Sequence, residues 1–330
     1  MHVAICCITF RRPEGLQRLL DGIHGLSFRK SREPKITVIV VDNDRAAPMR
    51  PLVEGRSGFR WRLRYDCEPV QGLSTARNRA LDLVPADAEW IAFIDDDEVP
   101  APGWLDELLD VARTYRAPIV RGPVRPMFVS PPPPWIVRGR FFEHGPYADG
   151  AALGYAATNN SMIAAAVVRR LRLRFDDRFD RTGGEDQRFF GCAIKAGHRV
   201  VTAENALVYE WILKDRTTLR YLLKRRFRMG NTLTMIDRID GGPGWLAIRT
   251  IKGIGRIGLG MIQTVSLAPR GAAGLAAALC TMAWGTGSLA GLFGVAHREY
   301  ARPASDEAGA RAAVAVPQAD ALPRPPKHRE

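Results

Sequence analysis

The 330-residue sequence has little of what builds disulfide or metal frameworks. Its five cysteines (Cys6, Cys7, Cys67, Cys192 and Cys280) include no CxxC pair and no histidine at metal-ligand spacing. That excludes a zinc module and a disulfide scaffold. All five read as reduced, mostly buried thiols of a cytosolic domain, and the adjacent Cys6 and Cys7 point to opposite faces of a strand. The six histidines form no cluster, and no internal repeat is present. A Gly-rich phosphate loop is missing after the first apolar run, where "TFRRPEG" stands instead, which counts against a nucleotidyltransferase. The N-terminal apolar stretch is short and is followed, not preceded, by Arg11 and Arg12, so it reads as a strand and not a secretory leader. Negative charge is scarce: 35 acids face 48 Lys and Arg, for a net charge of +13. Such an excess calls for an anionic partner, whether nucleic acid, anionic lipid or a phosphorylated substrate.

What is present is an ordinary globular composition, 46% hydrophobic and 25% charged. Apolar runs of strand length alternate with helical patterns. "HVAICCITF" (2–10), "KITVIVVDND" (35–44), "RWRLRYDCEP" (60–69), "WIAFIDDD" (90–97) and "APIVRGPV" (117–124) read as strands. Between them lie helical segments opening at Pro13, at Ser74 or Thr75 as N-cap, and at "GWLDELLDVARTY" (103–115). Alternation of this kind predicts an α/β fold with a mainly parallel sheet flanked by helices. Ligands of such sheets bind at the carboxyl ends of the strands. "SPPPPWIVRGRFF" (130–142) reads as a loop, with Trp135 and, beyond it, Tyr147 as either sugar-stacking or packing aromatics. "TNNSMIAAAVV" (158–168) reads as a further strand, "GGEDQRFFGCAIKAG" (183–197) as a helix, and "TTLRYLLKRRFRMGNTLTMI" (217–236) as a long basic amphipathic helix.

Beyond residue 241 the composition changes. Residues 271–296 run for 26 positions without a charge. As one helix they would span roughly 39 Å against a bilayer core of about 30 Å, although Gly285 and Gly287 are positions where it could break. Upstream, Arg249, Lys252 and Arg256 recur at helical spacing among apolar residues, as in an interfacial helix. Residues 211–270 hold twelve Lys and Arg against three Asp, so most of the positive excess flanks the apolar run on its expected cytoplasmic side. The tail 301–330 reads as disordered.

The chemistry-bearing stretch is "FIDDDEVP" (93–100), in which Asp95, Asp96, Asp97 and Glu98 end an apolar strand. Carboxylates crowded in this way raise one another's pKa unless a cation, an arginine cluster or water offsets the repulsion. Strand alternation would send Asp95 and Asp97 to one side, where they could share a hard cation such as Mg²⁺ or Mn²⁺ with substrate phosphates.

"ICCITFRRPEGLQRLL", "VIVVDND", "GLSTARNRAL", "FIDDDEVP", "GGEDQRFF" and "RRFRMGN", in that order, resemble the inverting family 2 glycosyltransferases, nearest to the succinoglycan-biosynthesis type of bacterial glucosyltransferase. The resemblance covers roughly 1–240. It implies a GT-A fold over 1–240, followed by a membrane-associated helical region over 241–300. It also implies a UDP-hexose donor, a divalent metal and a lipid-linked acceptor. On that basis Thr9, Phe10 and Arg11 seat the base and ribose. Asp42 accepts from the uracil ring, or is only a turn residue, and Arg77 contacts the nucleotide. Asp95 reaches the ribose and the metal, Asp97 ligates the metal, and Asp96 belongs to the donor site without a firm role. Asp186 is the implied general base, and Glu185 orients the acceptor or caps the helix. Arg225 or Arg228 reaches the diphosphate. The implied reaction moves a hexose, glucose from UDP-glucose, onto a polyprenyl-diphosphate-linked glycan in exopolysaccharide assembly at the cytoplasmic membrane face, with anionic lipids as further partners. A nucleic-acid partner is not expected, because the basic residues cluster beside an apolar segment and line no aromatic-studded groove.

Overall fold

The computed structural model describes residues 1–143, 145 and 148–295. Tyr147 and the tail 301–330 lie outside the described residues. The first half alternates as expected: β1 (His2–Thr9), α1 (Pro13–His24), β2 (Lys35–Asp42), a short α2 (Arg50–Glu54), β3 (Arg62–Cys67), α3 (Leu73–Asp82) and β4 (Trp90–Phe93). Then come β5 (Glu98–Pro100), α4 (Trp104–Thr114), β6 (Ile119–Arg121), β7 (Val124–Phe128), α5 (Pro134–Gly139), β8 (Ala152–Leu153), β9 (Ser161–Ala164), α6 (Ala165–Leu171), α7 (Glu185–Lys195), β10 (Val200–Thr202) and β11 (Val208–Ile212). Three long helices close the described chain: α8 (Leu219–Asp240), α9 (Trp245–Ser266) and α10 (Ala272–Leu292).

The main sheet has the order β3-β2-β1-β4-β9-β6-β10-β8, and a small second sheet has the order β5-β11-β7. β1 to β4 are parallel, whereas β9 runs antiparallel to both β4 and β6. Apolar runs buried on both faces make this possible. Val3, Ile5 and Cys7 pack with α1 and α4 on one side, while Ala4 and Cys6 pack with Ala76 of α3 and Phe189 of α7 on the other. The adjacent cysteines thus face opposite layers, as strand alternation requires. Register sets the functional edge, because Thr9 lies opposite Asp42 and Asp42 opposite Cys67. Asp42 therefore emerges at the same carboxyl edge as Thr9 and Cys67.

Four expectations change on folding. The run 117–124 splits into β6 and β7, which belong to different sheets, because Gly122 and Pro123 interrupt it. Pro123 has no N–H to continue a ladder. The run 158–168 is a strand only over β9 and then becomes α6. The Pro-rich segment is not a loop throughout: Pro133 and Pro134 lead into α5, where a proline's fixed φ suits the first turn. Finally, neither Ser74 nor Thr75 caps α3. The Thr75 N–H is taken at 3.1 Å by the carboxylate of Asp180, a residue far along the chain.

α10 is a single uninterrupted helix. Gly285 and Gly287 do not break it, since they are where it touches its neighbours. A Cβ at Gly287 would lie 2.0 Å from the Phe227 carbonyl oxygen of α8, and one at Gly230 would lie 2.0 Å from that of Trp284. α8 and α9 both pack along α10, and Ile136 of α5 adds to the same apolar cluster. α10 is the one helix among the described residues that is long and apolar enough to cross a membrane, yet much of its surface is covered by protein. α9 instead turns Ile248, Ile251, Ile254, Ile262 and Val265 outward, with Val265 77% exposed.

Candidate active site

β4 ends at Phe93, so Asp95 to Asp97 form a turn and not a strand end. The turn is closed by its own last acid. Glu98 accepts the Asp95 N–H at 3.0 Å through its carboxylate, and its own N–H donates to the Asp95 carbonyl at 3.2 Å. Strand alternation consequently does not apply, and Asp95 and Asp97 do not share one partner.

Arginines answer the crowding in this structure. Asp96 accepts from Arg12 at 2.8 Å and from the Thr9 hydroxyl at 2.9 Å. Asp97 accepts from the same Arg12 at 3.1 Å and from Arg216 at 3.4 Å. Arg216 also donates to Glu210 of β11 at 3.0 Å. On the other flank Arg77 donates to Asp95 at 3.0 Å and to Glu185 in the first turn of α7. Three guanidiniums thereby tie the turn to α1, to α3 and α7, and to the segment before α8.

The neutralisation is incomplete. Burial pushes the Asp96 carboxyl up to about 6 even with Arg12 beside it. Burial likewise raises Asp95 against the pull of Arg77, and the charges of Asp97 and Asp186 add to the rise. Glu98 is raised well above the carboxylate range by burial and by Asp95, and Glu210 by burial and Asp97. These elevations come first from burial and then from neighbouring carboxylates, and a cation at the turn would favour the charged forms.

Other sequence candidates fall into place around this turn. Asp186 stands in the first turn of α7, close enough for its charge to act on Asp95, and accepts the Gln187 N–H at 2.7 Å. Its neighbour Glu185 is buried, held by Arg77 on one oxygen while the other has no hydrogen-bond partner among the described residues. Gly184 makes this entry possible. Its φ of 99° is costly for any other residue, and a Cβ there would meet Thr232 of α8 at 1.9 Å. Arg225 of α8 acts electrostatically on Glu210 and lies over the Phe142 ring at 5.8 Å, so it borders the same site. Arg228 lies half-buried one turn on.

At the opposite end of the edge, Asp42 is fully buried and already accepts from Asp44 N–H (3.2 Å), Met49 N–H (2.9 Å) and the Tyr65 hydroxyl (3.0 Å). It shapes the loop after β2. Phe10 and Arg11 leave β1 there, with Arg11 over the Phe10 ring and paired with Asp44. Sequence reasoning missed Arg12, Arg216 and Glu210. Arg12 had a signal, since two arginines follow the first strand. Arg216 and Glu210 had none, because only the second sheet brings β11 alongside β5.

No group of three or more His, Cys, Asp or Glu side chains stands poised around a metal position among the described residues. Asp95 and Asp97 still fit Mg²⁺ or Mn²⁺, which need only one or two protein carboxylates when substrate phosphates complete the shell.

The solved structure of Staphylococcus aureus TarS residues 1–349 with UDP-GlcNAc superposes with a TM-score of 0.52, covering 89% of this chain and 92% of that one at 13% identity. The UDP-bound form gives 0.51 over 90% and 93% at 14% identity. At such identity the likeness is one of fold, and the fold is GT-A. In sequence the chain is 35% identical to the succinoglycan biosynthesis protein ExoM of Rhizobium meliloti (strain 1021) over 234 residues, 70% of this chain and 74% of that protein. Residues 4–171, which run from β1 past the acidic turn to the end of α6, match the profile described as "Glycosyl transferase family 2", and the chain is a glycosyltransferase belonging to that family.

Proposed function

We propose that this glycosyltransferase moves a hexose, glucose from UDP-glucose, with inversion onto a polyprenyl-diphosphate-linked glycan during exopolysaccharide assembly at the cytoplasmic membrane face. The observation that carries the reading is that Arg77 pairs with both Asp95 and Glu185 beside the acidic turn, with Asp186 close enough for its charge to act on Asp95. Nucleotide-sugar use is supported by the UDP-bound TarS forms, and the polysaccharide role by the name of ExoM.

In this reading the donor diphosphate lies over the turn. Arg12 and Arg216, which lean on Asp97 in the resting protein, supply guanidinium donors to the charge that develops on it. Asp95 and Asp97 would hold Mg²⁺ or Mn²⁺, which neutralises the same diphosphate when bound. Arg225 and Arg228 approach from α8. Thr9, Phe10 and Arg11 flank the nucleoside, with Asp42 fixing the loop they face. The Asp186 carboxylate takes the proton of the acceptor hydroxyl as that oxygen bonds to the anomeric carbon. The bond from that carbon to the diphosphate oxygen breaks on the far side and its electron pair leaves with UDP. Glu185 acts through Arg77, which keeps Asp95 oriented.

The test is binding and hydrolysis of UDP-, GDP- and dTDP-hexoses with Mn²⁺, Mg²⁺ or EDTA, with the Asp97→Ala variant alongside. Binding of one UDP-hexose only with metal, lost in Asp97→Ala, is the expected result. Equal binding in EDTA refutes the metal role, and no binding of any nucleotide sugar refutes the donor assignment.

A further inference from the structure

Arg121, the last residue of β6, is only 7% exposed and has no carboxylate partner among the described residues. Its guanidinium lies over the Tyr155 ring at 4.5 Å, and its Nε–H is buried without an acceptor. A charge so enclosed is costly without a partner. The ring offsets part of that cost but offers the Nε–H no acceptor in its plane.

Register fixes where this arginine stands. β4 and β6 both flank β9, and Phe93, Ser161 and Arg121 lie side by side across the three strands. Thr202 of β10 continues the row. Alternation turns all four to the face that carries Ile119, Ile163 and Val200, on which Phe189 and Phe190 of α7 pack. Ser161 is fully buried and its Oγ has no partner among the described residues. Asn159, two residues earlier, has a buried Oδ1 that also lacks a partner, and the N–H of Asn160 between them donates to the Phe93 carbonyl at 3.3 Å. Phe189 and Phe190 stand edge-on to Phe93 at 6.0 and 6.2 Å, so the first turn of α7, with Asp186, rises from the same face.

The unpaired groups define a ligand by their mixture. Arg121 offers a donor, Asn159 an acceptor, and Ser161 either. An anion would answer the arginine but oppose the Asn159 oxygen, whereas a hydroxyl both donates and accepts. Position defines whose hydroxyls these are. In the proposed reaction the nucleoside lies by β1 and β2, and the diphosphate lies over the turn after β4. Attack opposite the diphosphate puts the acceptor on the far side of the anomeric carbon. That line continues past β4 over β9 and β6, where Arg121 stands two strand spacings, about 10 Å, from Phe93.

We infer that Arg121, Ser161 and Asn159 bind the hydroxyls of a neutral pyranose, the sugar of the acceptor that receives the new bond, while Tyr155 holds the guanidinium in place. The inference rests on the proposed donor placement and names the part of the acceptor that the protein grips.

Transfer from UDP-glucose with Mn²⁺ to octyl glucoside, octyl galactoside and octyl mannoside by the full chain tests this, with calorimetric titration of UDP-glucose alongside. The wild type is expected to use at least one of the three. Arg121→Gln is expected to raise the KM for that pyranoside about 10- to 100-fold, as loss of a hydrogen bond from a charged group does, and Ser161→Ala about 2- to 10-fold. The Kd for UDP-glucose is expected to stay unchanged in both. Ser161→Ala removes a single unpaired oxygen, so it keeps the test open should Arg121→Gln fail to fold. An unchanged KM in the folded variants overturns the inference. A Kd for UDP-glucose that rises with KM also overturns it, since the residues would then hold the donor. Preference for octyl glucuronide or octyl phosphate, lost in Arg121→Gln, overturns the neutral sugar in favour of an anion. Wild-type protein that binds UDP-glucose but transfers to no pyranoside overturns the inference while leaving the donor reading intact. If the wild type binds no nucleotide sugar, the donor reading fails and the inference falls with it.

Discussion

The acidic edge of the sheet and the junction of the three C-terminal helices use arginine in opposite ways. At the edge Arg12, Arg77 and Arg216 each bridge two carboxylates. At the junction Arg226 and Arg256 rest on an indole and meet no acid among the described residues. Paired arginines fix positions inside a protein, because a buried charge without its partner is costly. Arginines held on an aromatic face are stabilised instead by the attraction between the cation and the ring. The contrast separates a region cross-linked by ion pairs from one in which the guanidiniums rest on an aromatic ring.

Several substitutions would break or sharpen this contrast. The largest effect is expected at Asp186→Asn, which should lower sugar transfer by about 10²- to 10⁴-fold while leaving UDP-hexose binding in place. Rapid-quench transfer assays beside calorimetric donor titration separate the two quantities. Arg77→Leu leaves both Glu185 and Asp95 without their shared cation and should cost about 3–5 kcal/mol in stability, read from urea unfolding. Arg216→Ala removes a guanidinium from the proposed diphosphate site, and it should weaken donor affinity by roughly 10- to 100-fold, following the strength of charge-assisted hydrogen bonds. Gly287→Val overpacks the contact between α8 and α10 and should cost about 1–3 kcal/mol, visible as a lower thermal midpoint. Glu54→Gln removes an exposed pair with Arg50 on α2 and should change stability by less than about 0.5 kcal/mol. A loss there as large as at Arg77 would abolish the distinction between buried and exposed pairing.

Much of the fold was legible because burial on two faces leaves a plain record. β1, β2 and β4 are continuous apolar runs, and α1 and α4 show helical spacing with recognisable entries. The pieces misread were those whose structure depends on distant partners. β7 pairs with β11, more than eighty residues away, so residues 124–128 could not declare their sheet. The cap on α3 is supplied by Asp180, which no local pattern around Ser74 or Thr75 reveals. Gly285 and Gly287 look like helix breakers in isolation, and only the approach of α8 and α9 shows why small residues are needed there. The candidate site divides in the same way. Asp95, Asp97 and Asp186 were visible as acids where a strand gives way to a turn and a helix begins. Arg77 was a candidate from sequence, but its pairing with Asp95 and Glu185 was not legible, nor were Arg12 and Arg216, since the three come from separate parts of the chain.

By itself the sequence determined the alternation of strands and helices, the acidic cluster at the carboxyl edge and the basic, apolar character of the C-terminal third. These are local consequences of periodicity, charge and composition. Only the tertiary structure decided which arginine meets which acid, and that α10 is packed between its neighbours while α9 faces outward. Ion pairing and helix burial depend on distances between residues far apart in the chain, and those distances are set when the sheets close and the helices pack.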